Sequence, residues 1–152
     1  MFLEIRAGSL VKKQTTDDPA GAGGGVGRYI IIQGGLDMTV KDVQEILGAR
    51  VLTGEEFLDR EVRSACGSDM MSDVLAFSKD HSVLLTGLCN PQVIRTAEML
   101  DIVCLVFVRG KKPDETIIEM AKEREIIVLE TGHRMFSSCG MLYKAGLGGG
   151  AI

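Results

Sequence analysis

Polar and charged side chains follow four apolar runs of this chain, and each set includes a glycine. The sets are Gly67-Ser68-Asp69, Thr86-Gly87-Leu88-Cys89-Asn90, Arg109-Gly110-Lys111-Lys112 and Glu130-Thr131-Gly132-His133-Arg134. If the runs are parallel strands, all four sets lie at the carboxyl edge of one sheet, which is where α/β proteins bind their ligands. The amides at helix N-termini and the side chains of Lys111 and Arg134 would then attract an anion.

These sets predict a binding site for a small anionic metabolite or a nucleotide. The predicted ligand-binding residues are Ser68, Asp69, Thr86, Gly87, Asn90, Lys111 and Thr131. Thr86 offers a hydroxyl, and Gly87 lets a ligand approach the backbone because it has no side chain. The alternative is that the sets are ordinary turns, since Gly, Ser, Asp and Asn are the residues that strand-to-helix turns use.

The sequence contains no set of residues that predicts catalysis. Neither His81 nor His133 is paired by sequence with a nucleophile or a carboxylate. Cys89, at a turn before a helix, is the one cysteine placed to have a lowered pKa, and His133 is the only base to consider for it. Gly110-Lys111 lacks the upstream glycine and the following Ser or Thr of a phosphate-binding loop. We therefore predict a protein that is not an enzyme and has no cofactor or metal ion.

The composition is that of an ordinary globular protein of one domain. The chain has 152 residues, of which 45% are hydrophobic and 25% charged, and its net charge is −4. That charge provides no basic field, so neither nucleic acid nor a membrane surface is predicted as a partner. The cysteines, Cys66, Cys89, Cys104 and Cys139, form no C-x-x-C pair and are expected to be reduced thiols of a cytoplasmic protein.

The segment 82–96 shows the plan on which the rest of the chain is built. The apolar run 83–86 predicts a strand, and Asn90 and Pro91 follow as the N-cap and the first residue of a helix. The runs 102–108 and 126–129 are apolar throughout, which is typical of strands buried on both faces of a parallel sheet. Further helices are predicted to begin at Thr39, Ser68, Pro113 and His133.

From residue 62 onward the predicted order is βαβαβαβα with short connections. This order predicts an α/β fold, a three-layer α/β/α domain with a mainly parallel sheet of about four to five strands. The leading helix, capped by Thr39 and closed by Gly48, and a short strand or extended link at 50–54 would pack at an edge. We expect the domain to span residues 38–147, with a tail at 148–152.

Residues 1–37 differ in character from the rest of the chain. Residues 14–27 are polar and then rich in glycine, and a β-like run at 29–32 follows them. Because a dinucleotide-binding fingerprint follows a strand and opens a helix, these glycines do not predict one. We interpret the segment as a flexible N-terminal extension. A second interpretation is that it is not native, since codons for Gln33-Gly34-Gly35 can form a ribosome-binding sequence shortly before Met38.

Four short motifs carry a family resemblance. They are Gly67-Ser68-Asp69-Met70-Met71-Ser72-Asp73-Val74, Leu84-Leu85-Thr86-Gly87 with Asn90-Pro91, Arg109-Gly110-Lys111-Lys112-Pro113-Asp114-Glu115 and Cys139-Gly140-Met141-Leu142-Tyr143. On these residues the chain resembles the DRTGG domain family, although of the Asp-Arg-Thr-Gly-Gly string only Thr86-Gly87 is present. It looks most like the small stand-alone members found beside iron-only hydrogenase genes. The domain is also similar to the N-terminal, non-kinase part of the histidine-phosphocarrier protein kinase/phosphorylase.

The resemblance implies a regulatory or assembly module, often dimeric, with a partner enzyme related to hydrogenases. We therefore expect a ligand-sensing module that acts through dimerisation or a partner protein. The alternative is a pure dimerisation or scaffold domain without a ligand. The eight methionines suit the adaptable apolar contacts of a homodimer. The first helix, with Val40, Val43 and Leu47 on one side, is the predicted dimer surface. The alternative is that these residues simply complete the core.

Overall fold

The computed structural model describes residues 38–78 and 80–149. Residues 1–37, Lys79 and residues 150–152 lie outside the described part of the chain. The predicted N-terminal extension, the β-like run 29–32 and most of the predicted tail therefore lie outside it as well.

Five strands form the main sheet, and four of them are parallel. The strands are β2 (Arg50–Thr53), β4 (Ser64–Gly67), β5 (Ser82–Thr86), β6 (Cys104–Phe107) and β7 (Ile127–Glu130). Their spatial order is β2-β7-β6-β5-β4, with β2 as an antiparallel edge strand beside β7. Two shorter strands, β1 (Met38–Thr39) and β3 (Glu61–Val62), pair with each other in a separate antiparallel sheet.

Five helices cover the sheet on both faces. They are α1 (Val40–Leu47), α2 (Met71–Phe77), α3 (Pro91–Met99), α4 (Glu115–Glu123) and α5 (Met135–Lys144), and a single 3-10 turn spans Glu55–Phe57. Helices α2, α3 and α4 pack on one face against Leu84, Leu105 and Phe107, whereas α1 and α5 pack on the other. The strands β4 to β7 advance through the sheet in chain order, so crossovers of one hand place their helices on one face. The predicted three-layer α/β/α fold with a mainly parallel sheet is confirmed.

Local signals set the ends of two helices as predicted. Thr39 and Asp42 form a capping box at the start of α1, and Gly48 ends that helix with a left-handed φ of 54°. Asn90 caps α3 by accepting a hydrogen bond from the Gln92 amide, and Pro91 is the first helical residue. Proline suits that position because its missing N–H would have no partner inside the helix.

Three predicted boundaries are wrong. Helix α2 begins at Met71 instead of Ser68, because the Ser68 hydroxyl accepts from the Met70 amide in a local turn. Helix α5 begins at Met135 instead of His133, whose amide is held in a turn by the Thr131 hydroxyl. The strand expected from residue 62 to 67 is two strands, since β3 pairs with β1 while β4 pairs with β5.

The predicted dimer surface on α1 is also wrong. Val40, Val43 and Leu47 have exposed fractions of 0%, 0% and 1% and pack in the core under α1. Burying such side chains stabilises the fold by about 1.5–3 kcal/mol each. The apolar face of α1 completes the domain and is not available to a second copy.

Candidate functional site

The carboxyl ends of the four parallel strands lie side by side at one edge of the sheet. The helices that follow β4, β5 and β6 pack on one face, and the helix that follows β7 packs on the other. The connections that leave β6 and β7 therefore run to opposite faces of the sheet. Open α/β sheets bind ligands at positions of this kind.

A rigid turn after β6 occupies this point. The Arg109 amide donates to the His133 carbonyl at 2.8 Å, and the Gly110 amide donates to the Thr131 carbonyl at 3.0 Å. Arg109 and Gly110 have φ of 62° and 64°, both in the left-handed region. Two such residues in succession are typical of a type I′ turn, and a left-handed arginine costs about 1–2 kcal/mol. The turn thus keeps a strained cation at the end of β6.

The Asp69 carboxylate joins the ends of three strands. Its Oδ1 accepts hydrogen bonds from the Gly87 amide at 2.6 Å and from the Thr86 hydroxyl at 3.1 Å. Its Oδ2 accepts from Nη2 of Arg109 at 3.0 Å. The Gly87 amide, together with Arg109 and Thr86, lowers the pKa of Asp69 below its ordinary value against a smaller opposing effect of burial. Asp69 is therefore a carboxylate at neutral pH.

Gly87 has a role that differs from the predicted one. A Cβ atom built at this residue would overlap the guanidinium of Arg109. The space that we expected a ligand to use is thus filled by the Arg109 side chain, and a larger residue at this position would displace the guanidinium.

The structure brings only part of the predicted ligand-binding set together. Asp69, Thr86 and Gly87 form one hydrogen-bonded group, and Lys111 lies exposed at the same edge, two residues after Arg109. The Ser68 hydroxyl bonds to the backbone of Met70 within its own turn, and Asn90 caps α3.

Thr131 points into the protein. It is 4% exposed, and its hydroxyl donates to the Leu47 carbonyl at the end of α1. A residue in this position fixes α1 to the sheet and does not face a ligand at the edge.

Arg109 is the member of this hydrogen-bonded group that sequence reasoning missed. It stands in one of the four predicted sets but was not among the predicted ligand-binding residues. The signal that could have found it is the glycine at the end of the neighbouring strand, since β5 and β6 pair with Thr86 opposite Phe107. An arginine two residues after Phe107 can extend its side chain across the end of β5, because Gly87 has no side chain there.

The electrostatics of Cys89 argue against a nucleophilic cysteine. Burial raises the pKa of the Cys89 thiol, and the positive charges of Lys111 and Arg109 offset this only in part. The expectation of a lowered pKa is wrong, because the thiol is partly removed from water and Asp114 and Asp69 add negative charge nearby. The same observation shows that both cations act at this corner of the sheet.

Residues 38–78 and 80–149 lack two features, a metal-binding cluster and a membrane-spanning helix. There, no three His, Cys, Asp or Glu side chains are grouped in a way that could hold a metal ion. No helix of this part of the chain is long and apolar enough to cross a membrane.

This chain is similar to known proteins in its fold and in its match to a family model. No curated protein matches the chain. Its fold is similar to the crystal structure of the CBS and DRTGG domains of the regulatory region of Clostridium perfringens pyrophosphatase, complexed with the activator diadenosine tetraphosphate. The TM-score is 0.59 at 19% identity, over 70% of this chain and 46% of that chain, so this chain spans about half of that region. The model of the DRTGG domain matches residues 42–145, and the chain therefore belongs to the DRTGG domain family.

Proposed function

We propose that this protein is a non-catalytic regulatory module that binds a small anionic metabolite or a nucleotide at the carboxyl edge of its sheet. It then acts through a second copy of itself or through a partner enzyme, for which the family resemblance suggests one related to hydrogenases. The proposal rests on one observation, the guanidinium of Arg109 held across the end of β5 with Lys111 beside it. The four cysteines are free thiols, in keeping with a cytoplasmic protein.

The Arg109 guanidinium is available to a ligand. It has five N–H donors, and among the described residues its side chain donates to Asp69 through Nη2. The side chains of Arg109 and Asp69 are 41% and 45% exposed, and an ion pair of that exposure contributes at most about 1 kcal/mol. An anion with more than one charge can therefore compete for Arg109. The regulatory region of related fold is complexed with a polyphosphate nucleotide, which supports this ligand class.

A thermal-shift screen of nucleotides and phosphorylated metabolites against the full chain tests the proposal. A ligand at a hundred times its Kd adds about 2.7 kcal/mol to the free energy of unfolding, which raises Tm by several degrees. Lys111→Glu and Gly87→Val should abolish the shift while the protein stays folded. The first variant reverses a charge, and the second displaces Arg109.

Lys41→Glu is the matched control for the charge reversal. Lys41 is exposed on α1, whose first turn lies at the opposite end of the sheet. If Lys111→Glu and Gly87→Val respond to the ligand as the parent does, the corner is only a turn and the proposal fails.

A scaffold domain without a ligand is the second candidate, and the outer face of α5 favours it. Phe136 and Tyr143 are 89% and 74% exposed there, with exposed Gly140 between them. Helix α5 has no acidic residue although the chain carries a net charge of −4, so two copies can approach at this face. An antiparallel two-fold contact centred on Gly140 would place Phe136 of one copy against Tyr143 of the other.

Light scattering distinguishes the two candidates when it is combined with the screen. The scaffold is favoured if the parent is a dimer, the Phe136→Ser variant is a monomer, and no compound of the screen stabilises the parent. Met99→Ser is the control, since Met99 is 73% exposed on α3. A monomeric parent would exclude self-association as the way in which the module acts.

A further inference from the structure

Three donors of different kinds converge on the Asp69 carboxylate. They are a backbone amide from Gly87, a hydroxyl from Thr86 and a guanidinium from Arg109, at 2.6, 3.1 and 3.0 Å. Backbone amides, hydroxyls and arginine are also the groups with which proteins bind phosphate. The donors come from the ends of β5 and β6, whereas the carboxylate comes from the loop after β4.

The Thr86 hydroxyl is fixed as a donor toward this position. Thr86 is fully buried, and its oxygen accepts a hydrogen bond from the Leu88 amide at 3.1 Å. The Thr86 oxygen thus accepts from Leu88, and its proton is donated to the Asp69 carboxylate, which has no proton to give in return. If the carboxylate left, a buried donor would have no partner unless another anion took its place.

The carboxylate can leave without disturbing the sheet. The loop that carries Asp69 is held independently, because the Ser68 amide donates to the Leu85 carbonyl at 3.1 Å. Asp69 is itself nearly half exposed, so rotation of its side chain moves the carboxylate into water. Met70, the next residue, caps α2 without a side-chain hydrogen bond and is 60% exposed.

We infer that the Asp69 carboxylate occupies the anion subsite of this protein, and that a phosphate group of the ligand replaces it on the Gly87 amide, the Thr86 hydroxyl and Arg109. The inference rests on the proposed function and adds to it the position of the phosphate and an internal competitor. Asp69 sets the affinity, since the ligand must displace a carboxylate that already holds the three donors.

The inference is tested by titrating the full chain with inorganic phosphate. Binding is monitored through the amide resonances of Gly87 and Leu88. Asp69→Asn removes the competing charge and should bind phosphate at least tenfold more tightly than the parent. Asp59→Asn removes an exposed carboxylate at the other end of the sheet and should leave the Kd unchanged. Thr86→Ser keeps the donor and should bind like the parent, whereas Thr86→Val should bind at least tenfold more weakly.

Equal or weaker phosphate binding by Asp69→Asn would overturn the inference and make Asp69 a structural partner of Arg109. Absence of phosphate binding from both parent and variant would also overturn it. In either case the ligand screen with Lys111→Glu decides separately whether the proposed function survives.

Discussion

At the scale of single residues, Arg109 has an unusual combination of features. It has a left-handed backbone that disfavours side chains, and its guanidinium lies against a glycine at the end of the next strand. Within residues 38–78 and 80–149, three further non-glycine residues, His81, Asp101 and Glu125, also have positive φ, and they lie at the opposite end of the sheet. Backbone strain of this kind persists where the surrounding structure enforces it, and function is one reason to keep it.

Arg109→Gly separates binding from stability. Relief of the left-handed strain, about 1–2 kcal/mol, offsets the loss of an exposed ion pair and the flexibility of glycine. We expect the free energy of unfolding to change by less than about 1 kcal/mol and anion binding to be lost, as measured by denaturation and calorimetric titration. His81→Gly relieves the same strain at φ 54° and should leave binding intact. Unchanged binding by Arg109→Gly would contradict the role of the guanidinium.

The pKa of Asp69 predicts a pH dependence of stability. Because the Gly87 amide and Arg109 lower this pKa in the folded state, the carboxylate stabilises the fold above the ordinary aspartate pKa. That contribution is lost as the pH falls through the lowered value. The difference in unfolding free energy between parent and Asp69→Asn should be constant from pH 7 to 5 and vanish in stronger acid. A difference that persists at the lowest pH would mean that the charge of Asp69 is not responsible.

The sequence predicted that the four sets lie at one edge of the sheet, but it did not predict which side chains face outward there. Thr131 was expected at the site because it follows a strand, yet it lies one residue beyond β7 on the side of α1 and bonds to Leu47. Cys89 was expected to be activated by its helix, yet burial outweighs that effect. Both outcomes depend on packing between distant segments, which a local pattern does not contain.

At the scale of elements, the role of Asn90 can be decided by substitution. Its side chain accepts from the Gln92 amide at 3.0 Å, which satisfies one of the unpaired amides at the start of α3. Asn90→Ala should therefore lower the free energy of unfolding by about 1 kcal/mol. Anion binding by the folded variant should equal that of the parent. Asn90→Ser, which restores a cap, should recover the stability. A tenfold loss of affinity in Asn90→Ala would return this residue to the ligand set.

Elements with a local cap and the fully apolar strands were predicted well, whereas the start of α2 and the division between β3 and β4 were not. The starts of α1 and α3 follow from Thr39 with Asp42 and from Asn90 with Pro91. Helix α2 has no side-chain cap at Met70, so its start was misplaced. Strands β3 and β4 are separate because β1 pairs with β3 from more than twenty residues upstream.

At the scale of the molecule, the order of the strands brings the ends of β4, β5 and β6 together, which lets Asp69, Gly87 and Arg109 meet. Four consecutive strands, β4 to β7, advance across the sheet, and the helices that connect them lie on one face. Short connections predicted the parallel sheet, but pairing order depends on contacts across the whole domain and could not be derived from the pattern alone.

The domain should fold without residues 1–37. Residues 38–149 form the five-stranded sheet and two well-packed core clusters among themselves, and Met38 itself pairs with Val62. A fragment of residues 38–149 should melt within a few degrees of the full chain, as measured by circular dichroism. A fragment ending at residue 147 lacks the Gly148 carbonyl that accepts from the Ala65 amide, and it should lose about 1 kcal/mol. If the 38–149 fragment is unfolded, the N-terminal segment is part of the fold.

Anion binding at the ends of β5 and β6 is the property on which the proposed function depends. The most direct test is a titration of the full, isotope-labelled chain with inorganic pyrophosphate, observed by the resonances of its backbone amides. We predict saturable shifts at Gly87, Leu88, Gly110 and Lys111, and none at His81 or Glu125 at the opposite end of the sheet. Shifts confined to regions away from these strand ends, or no shifts at saturating pyrophosphate, would contradict anion binding at the ends of β5 and β6.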